Sequence, residues 1–495
     1  MLGAGLCLTL LCIASCSPDA PIEPKPDVFM VVVDTLRKDR LGCYGYERDT
    51  SPRIDEIASQ GTLFLDPNAQ ASWTRPSMIS LMTGRYMTAF RDVVPEDYPT
   101  LAESFAAAGY RTIGIVGNVL VSEEAGFARG FEHFDASYSE EANTDLGELG
   151  RDAPGILRDV WKQLDGGDPE RDGEDRRPLF VYVHIMDPHH PWLIHREYLD
   201  ELPLNDSAPI DSWMMETYRS GVEELAPWDE RFESWKRVRS SRGRYEAEVR
   251  FTDHHIGAFF DGLSERGLLE RGIFAFVADH GEVLWERLDP KPIWEKDAPT
   301  LPKNVMHAEH GFFITQELIG TPFILWGKGI PVGLKVETPV ENLDLFPTLL
   351  ELCDVKAPGD LHGESLIPWL VRASGSAKPS LDADQAPLHD YVYSFVLQRA
   401  CVREVSSGWK LSLPEAGFDA AGVVPELYKL DVDPLERDNR FKHEPDVVSR
   451  LRAKLAEWKH AHPTESSFGR KLSQKEGADL RALGYLGDDE ESDDD

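Results

Sequence analysis

The 495-residue chain is poor in cysteine, poor in positive charge and, past its first sixteen residues, without a long apolar run. Of its six cysteines, Cys7, Cys12 and Cys16 sit in that opening stretch, which leaves Cys43, Cys353 and Cys401 for the body. So few exclude a disulfide framework. Lys and Arg total 52 against 87 Asp and Glu, a formal net charge of -35. Such a charge repels nucleic-acid phosphates and anionic membrane surfaces at long range, so no nucleic-acid partner is expected. Any anionic substrate must then be held by a local cation, and a bound metal ion meets that need better than a generally basic cleft. Beyond the start, no stretch approaches the ~20 apolar residues of a transmembrane helix. Internal repeats are also lacking.

What is present begins with MLGAGLCLTLLCIASC, an apolar run of signal-peptide length without a basic n-region. Its end, IASC, resembles the bacterial lipobox, which predicts a signal peptide over 1–16 and a lipid anchor at Cys16. The expected location is the bacterial cell envelope, facing the periplasm or the exterior. A Pro-rich spacer over 17–26 follows, then a main domain over 27–373, a subdomain over 374–487 and an acidic, disordered tail over 488–495.

Val28 to Asp34 reads VFMVVVD, a β-branched run with no alternation, as in a central parallel strand covered on both faces. PLFVYVHIMD and IFAFVADHGE are runs of the same kind. Helices are predicted from Ser51, from Thr100 to a stop at Gly109, within 140–177, and over GRYEAEVRFTDHHIGAFFDGLSERG. Short strands are predicted in TLFLDPNAQ and over Arg111–Val116. This rhythm predicts an α/β fold, a mostly parallel central sheet flanked by helices. After Ser374 the pattern changes to short strands and turns and a helix from Pro445 to His460, which predicts a smaller C-terminal α+β subdomain. The irregular stretches 192–241 and 285–307 read as insertions near a site mouth. There Trp192, Trp213, Trp228, Trp235, Trp285 and Trp294 either pack locally or stack on a sugar or aromatic group.

Three long apolar strands end in groups that bind metals or move protons: Asp34; His184 with Asp187, His189 and His190; and Asp279 with His280. Parallel sheets gather ligands at the carboxyl ends of their strands, so these residues are predicted to converge. Two carboxylates and an imidazole leave coordination positions open, as a catalytic site requires. The oxygen-rich set suits one divalent ion, Ca²⁺, Mg²⁺ or Mn²⁺, with Zn²⁺ also compatible. A fourth stretch, QASWTRPSMISLMTGR, places Thr74 at or near a helix N-terminus ahead of Pro76. Such a terminus favours anions, so the Thr74 hydroxyl is either a helix cap or a nucleophile facing a bound oxyanion.

VVVDTLRKDRLGCYGYERDTSP, SWTRPSMISLMTGRY, VHIMDPHHPW, VADHGE and HGFFITQELIGTPFILW resemble successive blocks of the sulfatase family, within the alkaline phosphatase superfamily. The resemblance runs from Asp27 to Gly487 and implies an alkaline-phosphatase-like fold for a sulfatase-like catalytic domain and a metal-dependent ester hydrolase. Carried over by position, it implies that Asp34, Asp279 and His280 are metal ligands and that Thr74 holds the nucleophile position beside the metal. It also implies that His189 contacts the transferred group or leaving oxygen and that His310 touches the oxyanion. His184 is a further candidate, either a partner of these residues or a hydrogen-bonded histidine at a strand end. Arg75 faces substrate or solvent, and His190, His254 and His255 read as structural or exposed.

Departures from the family decide which reaction to expect. Sulfatases of the family carry Cys or Ser in C/S-x-P-S-R and oxidise it to formylglycine, whereas this chain has TRPSM, with Met78 in place of the arginine. The lysine-bearing G-K-W-H block is absent, with GNVL, Gly117 to Leu120, in roughly that region. A formylglycine hydrate sheds its sulfate by breaking a C–O bond. A threonine ester is cleared only by attack at sulfur or phosphorus, which phosphoryl groups permit well. The expected substrate is a small-molecule or saccharide sulfate or phosphate ester, with phosphoryl transfer slightly favoured. Alternatives are an authentic sulfuric ester hydrolase, an envelope phosphotransferase, and a noncatalytic binding protein on the same fold.

Overall fold

The computed structural model describes residues 24–137 apart from 90, then 152–166, 177–190, 192, 195, 197–198, 202, 230–284, 310–374, 387–415 and 423–465. The expected signal peptide, Cys16, the acidic tail, the segment 285–307 and most of 192–229 lie outside these residues. So do Trp213, Trp228, Trp285 and Trp294, and of Trp235 only the helical backbone is described.

The first half contributes β1 (Val28–Val33), α1 (Pro52–Ser59), β2 (Thr62–Phe64), β3 (Pro67–Asn68), α2 (Thr74–Thr83), α3 (Leu101–Ala107), β4 (Arg111–Val116) and β5 (His133–Asp135). Next come α4 (Ala153–Asp165), β6 (Leu179–Ile185), α5 (Glu230–Glu265), β7 (Ile273–Ala278), α6 (Gln316–Ile319), β8 (Phe323–Gly327), β9 (Leu334–Val336), β10 (Val340–Glu341), α7 (Leu345–Leu352) and α8 (Ile367–Ser374). Among the described residues, the main sheet runs β5-β4-β6-β1-β7-β8-β2-β9. Every neighbouring pair is parallel except the two made by β8, which runs against both β7 and β2.

The apolar run of β1 is central because it is buried on both faces. Phe29, Val31 and Val33 pack into one helix layer with α1, α4 and α5, while Val28, Met30 and Val32 pack into the other with α2, α3 and α7. Fully burying side chains of this size stabilises by about 1.5–3 kcal/mol each, so the strand that carries the first site residue is among the most firmly held. Local signals fix the helix starts. Pro52 opens α1, and Thr100 and Glu103 close a reciprocal capping box on α3.

A second, antiparallel sheet follows: β11 (Tyr391–Val396), β12 (Arg399–Glu404), β13 (Trp409–Pro414) and β14 (Glu426–Lys429), covered by α9 (Pro445–Ala461). Its first strand braces the approach to α2: Phe395 N–H donates to Gln70 O at 2.8 Å, and Ser394 Oγ to Ala69 O at 2.8 Å. The subdomain therefore holds the segment that leads into Thr74.

Two elements differ from the sequence reading. The stretch TLFLDPNAQ forms two strands, β2 and β3, the second pairing in parallel with β10. The helix expected to begin at residue 243 starts at Glu230, so 230–241 is helix rather than irregular insertion. Its residues ERFESWKRVRSS give no apolar stripe, so periodicity is silent there while the helix propensity of Glu, Arg and Lys is high.

Candidate active site

Strands β4, β6, β1 and β7 are consecutive neighbours in the sheet, and their carboxyl ends deliver polar groups to one point. Asp34 N–H donates to Ile185 O at 2.9 Å and Gly117 N–H to His184 O at 2.9 Å, so the pairing continues just past β1 and β4. Asp34 thus follows β1, Asp279 and His280 follow β7, His184 lies near the end of β6, and Asn118 sits just beyond β4.

Thr74 reaches the same point from the first turn of α2. Trp73 occupies the cap position and no side chain caps the helix, so the Thr74 hydroxyl is not spent on capping. Its Oγ1 lies 3.2 Å from His280 Nε2, 3.5 Å from Asp34 Oδ2 and 3.4 Å from Asn118 Nδ2. One turn on, Ser77 Oγ donates to Asp279 O at 2.6 Å, and Asn342 Nδ2 donates to Ala278 O at 2.9 Å. The first bond locks α2 to the end of β7, and the second ties the turn at 342–344 to the same strand end. Met78 is buried in the core, which leaves no cation at the family's arginine position.

The donor set fits a divalent cation. One ligating atom from each of Asp34, His184 and Asp279 lies within 4.8 Å of the others. Asp34 Oδ1, Asp279 Oδ2 and His184 Nε2 are buried without a hydrogen-bond partner, a costly arrangement unless a cation satisfies them. His280 fits as well. Its Nδ1 is 2.8 Å from Gly281 O, which assigns the proton there and turns the Nε2 lone pair to Asp279 Oδ2 at 3.4 Å and Asp34 Oδ1 at 3.7 Å.

Electrostatics point the same way. Burial, then the neighbouring Asp34 charge, pushes the Asp279 carboxyl well above the usual range, because two carboxylates this close in a dry site resist joint ionisation. Burial would also raise Asp34, but the His184 imidazole 3.5 Å away, with the nearby His189 and His280, outweighs it and holds Asp34 well below that range. Burial, followed by His310, lowers His280 to about 3, so its imidazole is neutral and able to ligate.

His189 and His310 flank this cluster. The His310 ring centroid is 4.6 Å from that of His280 and 5.0 Å from that of His189. His310 Nδ1 lies 3.2 Å from Glu282 Oε2, and both residues are buried. Burial lowers His310 to about 4 and lowers His189 as well.

Asp34, Thr74, His184, Asp279 and His280 therefore come together, with His189 and His310 beside them. Other candidates do not join. Asp187 Oδ2 accepts from Ala153 N–H at 2.7 Å and anchors α4. Arg75 faces neither substrate nor solvent: it is buried, with Nε donating to Leu120 O at 3.2 Å and Nη1 3.9 Å from Asp92 Oδ1. Trp192 is also buried, its Nε1 donating to Pro188 O at 2.9 Å, and offers no stacking face. His254 is exposed, and His190 and His255 are half-buried.

Two residues escaped the sequence reading. Asn118 Nδ2 donates to Asp34 Oδ2 and faces Thr74 Oγ1, while its own Oδ1 accepts from Leu120 N–H at 2.7 Å, which fixes the amide orientation. Glu282 orients His310. The only available signal for Asn118 was its place just after an apolar strand. Asn118→Ala is expected to lower kcat about ten- to hundredfold while metal content is retained, since it removes one preorganised donor. Steady-state kinetics with elemental analysis checks this.

Fold and site together define a hydrolase of the alkaline-phosphatase-like architecture. Residues 26–355 match the Sulfatase family, and residues 308–461 match the C-terminal region of N-sulphoglucosamine sulphohydrolase. The chain belongs to the sulfatase family, and it is an ester hydrolase acting on sulfate or phosphate esters. It is 25% identical over 393 residues to an arylsulfatase of Clostridium perfringens, covering 69% of this chain and 78% of the relative. Its fold is similar to that of the phosphonate monoester hydrolase of Silicibacter pomeroyi, with a TM-score of 0.62 and 19% identity over 91% of this chain and 98% of that one. It is similar too to a protein solved with its substrate D-glucosamine-2-N,6-O-disulfate, with a TM-score of 0.62 and 18% identity over 89% and 97% of the two chains.

Proposed function

We propose that the chain cleaves a monoanionic ester, a phosphodiester-type group ahead of a sulfate, through a Thr74 nucleophile beside one divalent cation. The observation that carries this is the Thr74 oxygen at the first residue of α2, in reach of Asp34, His280 and Asn118. Asp34 and Asp279 would hold the cation, with the Nε2 atoms of His280 and His184 and the Thr74 oxygen around it. When bound, such an ion lowers the pKa of a coordinated hydroxyl and clamps a substrate oxygen.

The remaining steps belong to the chain. Thr74 Oγ1 attacks phosphorus in line, forming an O–P bond as the bond to the leaving oxygen breaks. The open N–H groups at the start of α2, with Asn118, face the charge that develops on the transferred group. The proton that Thr74 Oγ1 gives up passes to the leaving oxygen, with His189 or His310, neutral at rest, as the flanking relay. Water then attacks phosphorus and releases Thr74.

Two features favour a singly charged group. Among the described side chains at hydrogen-bond distance from Thr74 Oγ1, none is Lys or Arg. Neutral Asn118 stands in roughly the region of the family's lysine block, and buried Met78 stands at its motif arginine position. A phosphodiester or sulfate ester carries one charge, and of these the phosphodiester is the one a threonine adduct releases readily. A saccharide portion in the substrate accords with the sugar disulfate bound by one structural relative. Lipid attachment at Cys16 would place the enzyme at the cell envelope.

The test is a comparison of aryl sulfate, aryl phosphate monoester and aryl phosphodiester, each with Mg²⁺, Ca²⁺ or Mn²⁺. The diester is expected to show the highest kcat/KM. An aryl sulfate leading the series would overturn the phosphoryl preference.

A further inference from the structure

We infer that Phe312 and Phe313 form a subsite for the ring of the substrate's leaving group. The inference rests on the ester-cleaving reading above and names the part of the substrate that the polar cluster leaves unaddressed.

Phe312 is 54% and Phe313 37% exposed, and among the described residues the other exposed large apolar side chains, Val332, Val371, Val424 and Val432, are all valines. Two adjacent aromatic side chains in water call for an explanation that isolated valines do not. Their position supplies one. His310, two residues before Phe312, is buried with its ring 4.6 Å from that of His280. Between them Gly311 adopts φ +91, a left-handed conformation that L side chains rarely take. The chain thus turns within two residues from a buried imidazole at the reacting centre to an exposed phenyl ring.

That turn is fixed onto the segment carrying the nucleophile. Ser72 Oγ donates to Phe313 O at 2.5 Å, and a Cβ on Gly311 would sit 3.5 Å from Trp73 Cβ, in ordinary contact. The Arg399 guanidinium lies 5.7 Å from the Phe313 ring centroid and braces it from the C-terminal sheet. Through Gly311 and Ser72 the two phenylalanines are tied to His310 and to the segment entering α2, and this placement is what the subsite is inferred from. The chemistry that fits is a ring with a flat apolar face, from either an aryl group or a pyranose.

The test uses the full-length Thr74→Ala protein with Mn²⁺, so that ligands bind without turnover. Calorimetry compares methyl with phenyl derivatives, and methyl with glucopyranosyl derivatives, as phosphodiesters and as sulfates. Affinity ratios are read within each acid, so loss of the phosphoryl preference leaves them interpretable. At least one ring ligand is expected to bind about tenfold tighter than its methyl counterpart, and its identity names the source. Adding Phe312→Ala is expected to erase that ratio and leave the methyl ligand unchanged. Equal binding of ring and methyl ligands in the parent overturns the subsite alone. So does an equal loss for both in the double variant. If no ligand of either acid binds, the ester-cleaving reading falls and the subsite with it.

Discussion

Thr74→Ala is expected to cut kcat at least about a thousandfold, because it deletes the atom proposed to carry the transferred group while leaving its surroundings in place. The rest of the cluster does not depend on that oxygen. Asp279 Oδ1 keeps its bonds from Thr35 N–H at 3.2 Å and His280 N–H at 2.7 Å, and His280 keeps its bond to Gly281 O. Metal content measured by elemental analysis should therefore stay at the parent level. Thr74→Ser retains the hydroxyl and should recover much of the rate. Mass measurement of the peptide carrying residue 74, after quenching during turnover, should find a covalent adduct in the parent and none in the alanine variant. Parent-level kcat in Thr74→Ala would remove the residue from the mechanism.

The sequence made the scaffold of this site readable because each ligand-bearing strand is buried on both faces. VFMVVVD and IFAFVADH announce themselves as apolar runs, and the carboxylate or imidazole closing each run marks where the strand leaves the core. Thr74 was readable through Pro76 and the helix that follows it. What was hidden depends on partners rather than on pattern. Asn118 is an amide in a loop, and its role exists only because β4 lies beside β6, so that Asn118 comes within reach of Asp34. Arg75 looked like a surface or substrate residue because arginine usually is. The depth of α2, buried along its full length, turned it inward. Nothing in the sequence marks Phe312 and Phe313 as exposed; the chain turns there at Gly311 with φ +91.

Removing the metal is expected to cost both activity and stability, and the stability change should depend on pH with a sign that the carboxylates dictate. Chelation should lower turnover at least about a hundredfold. In the metal-free protein the Asp279 carboxyl sits well above its ordinary range, through burial and the adjacent Asp34 charge. The folded chain then holds a proton that the unfolded chain has already lost, so stability falls as pH rises from the usual carboxylate range through the raised folded value. Asp34, held below its ordinary range, contributes in the opposite sense, losing stability only as pH falls toward its own low folded value. Asp253 and Glu341, each pushed up to about 7 by burial, add to the Asp279 effect in the same sense. A divalent cation present at about 100 times its Kd should add about 2.7 kcal/mol and flatten the slope, because the charged carboxylate is then paired. Asp279→Asn separates the two roles: it should raise the neutral-pH melting temperature of the metal-free protein and abolish the shift produced by added Mn²⁺. Thermal melts of parent and variant from pH 5 to 9, with chelator or with Mn²⁺, read all of these outcomes. A parent melting temperature unmoved by the metal would show that the two buried carboxylates do not share a cation.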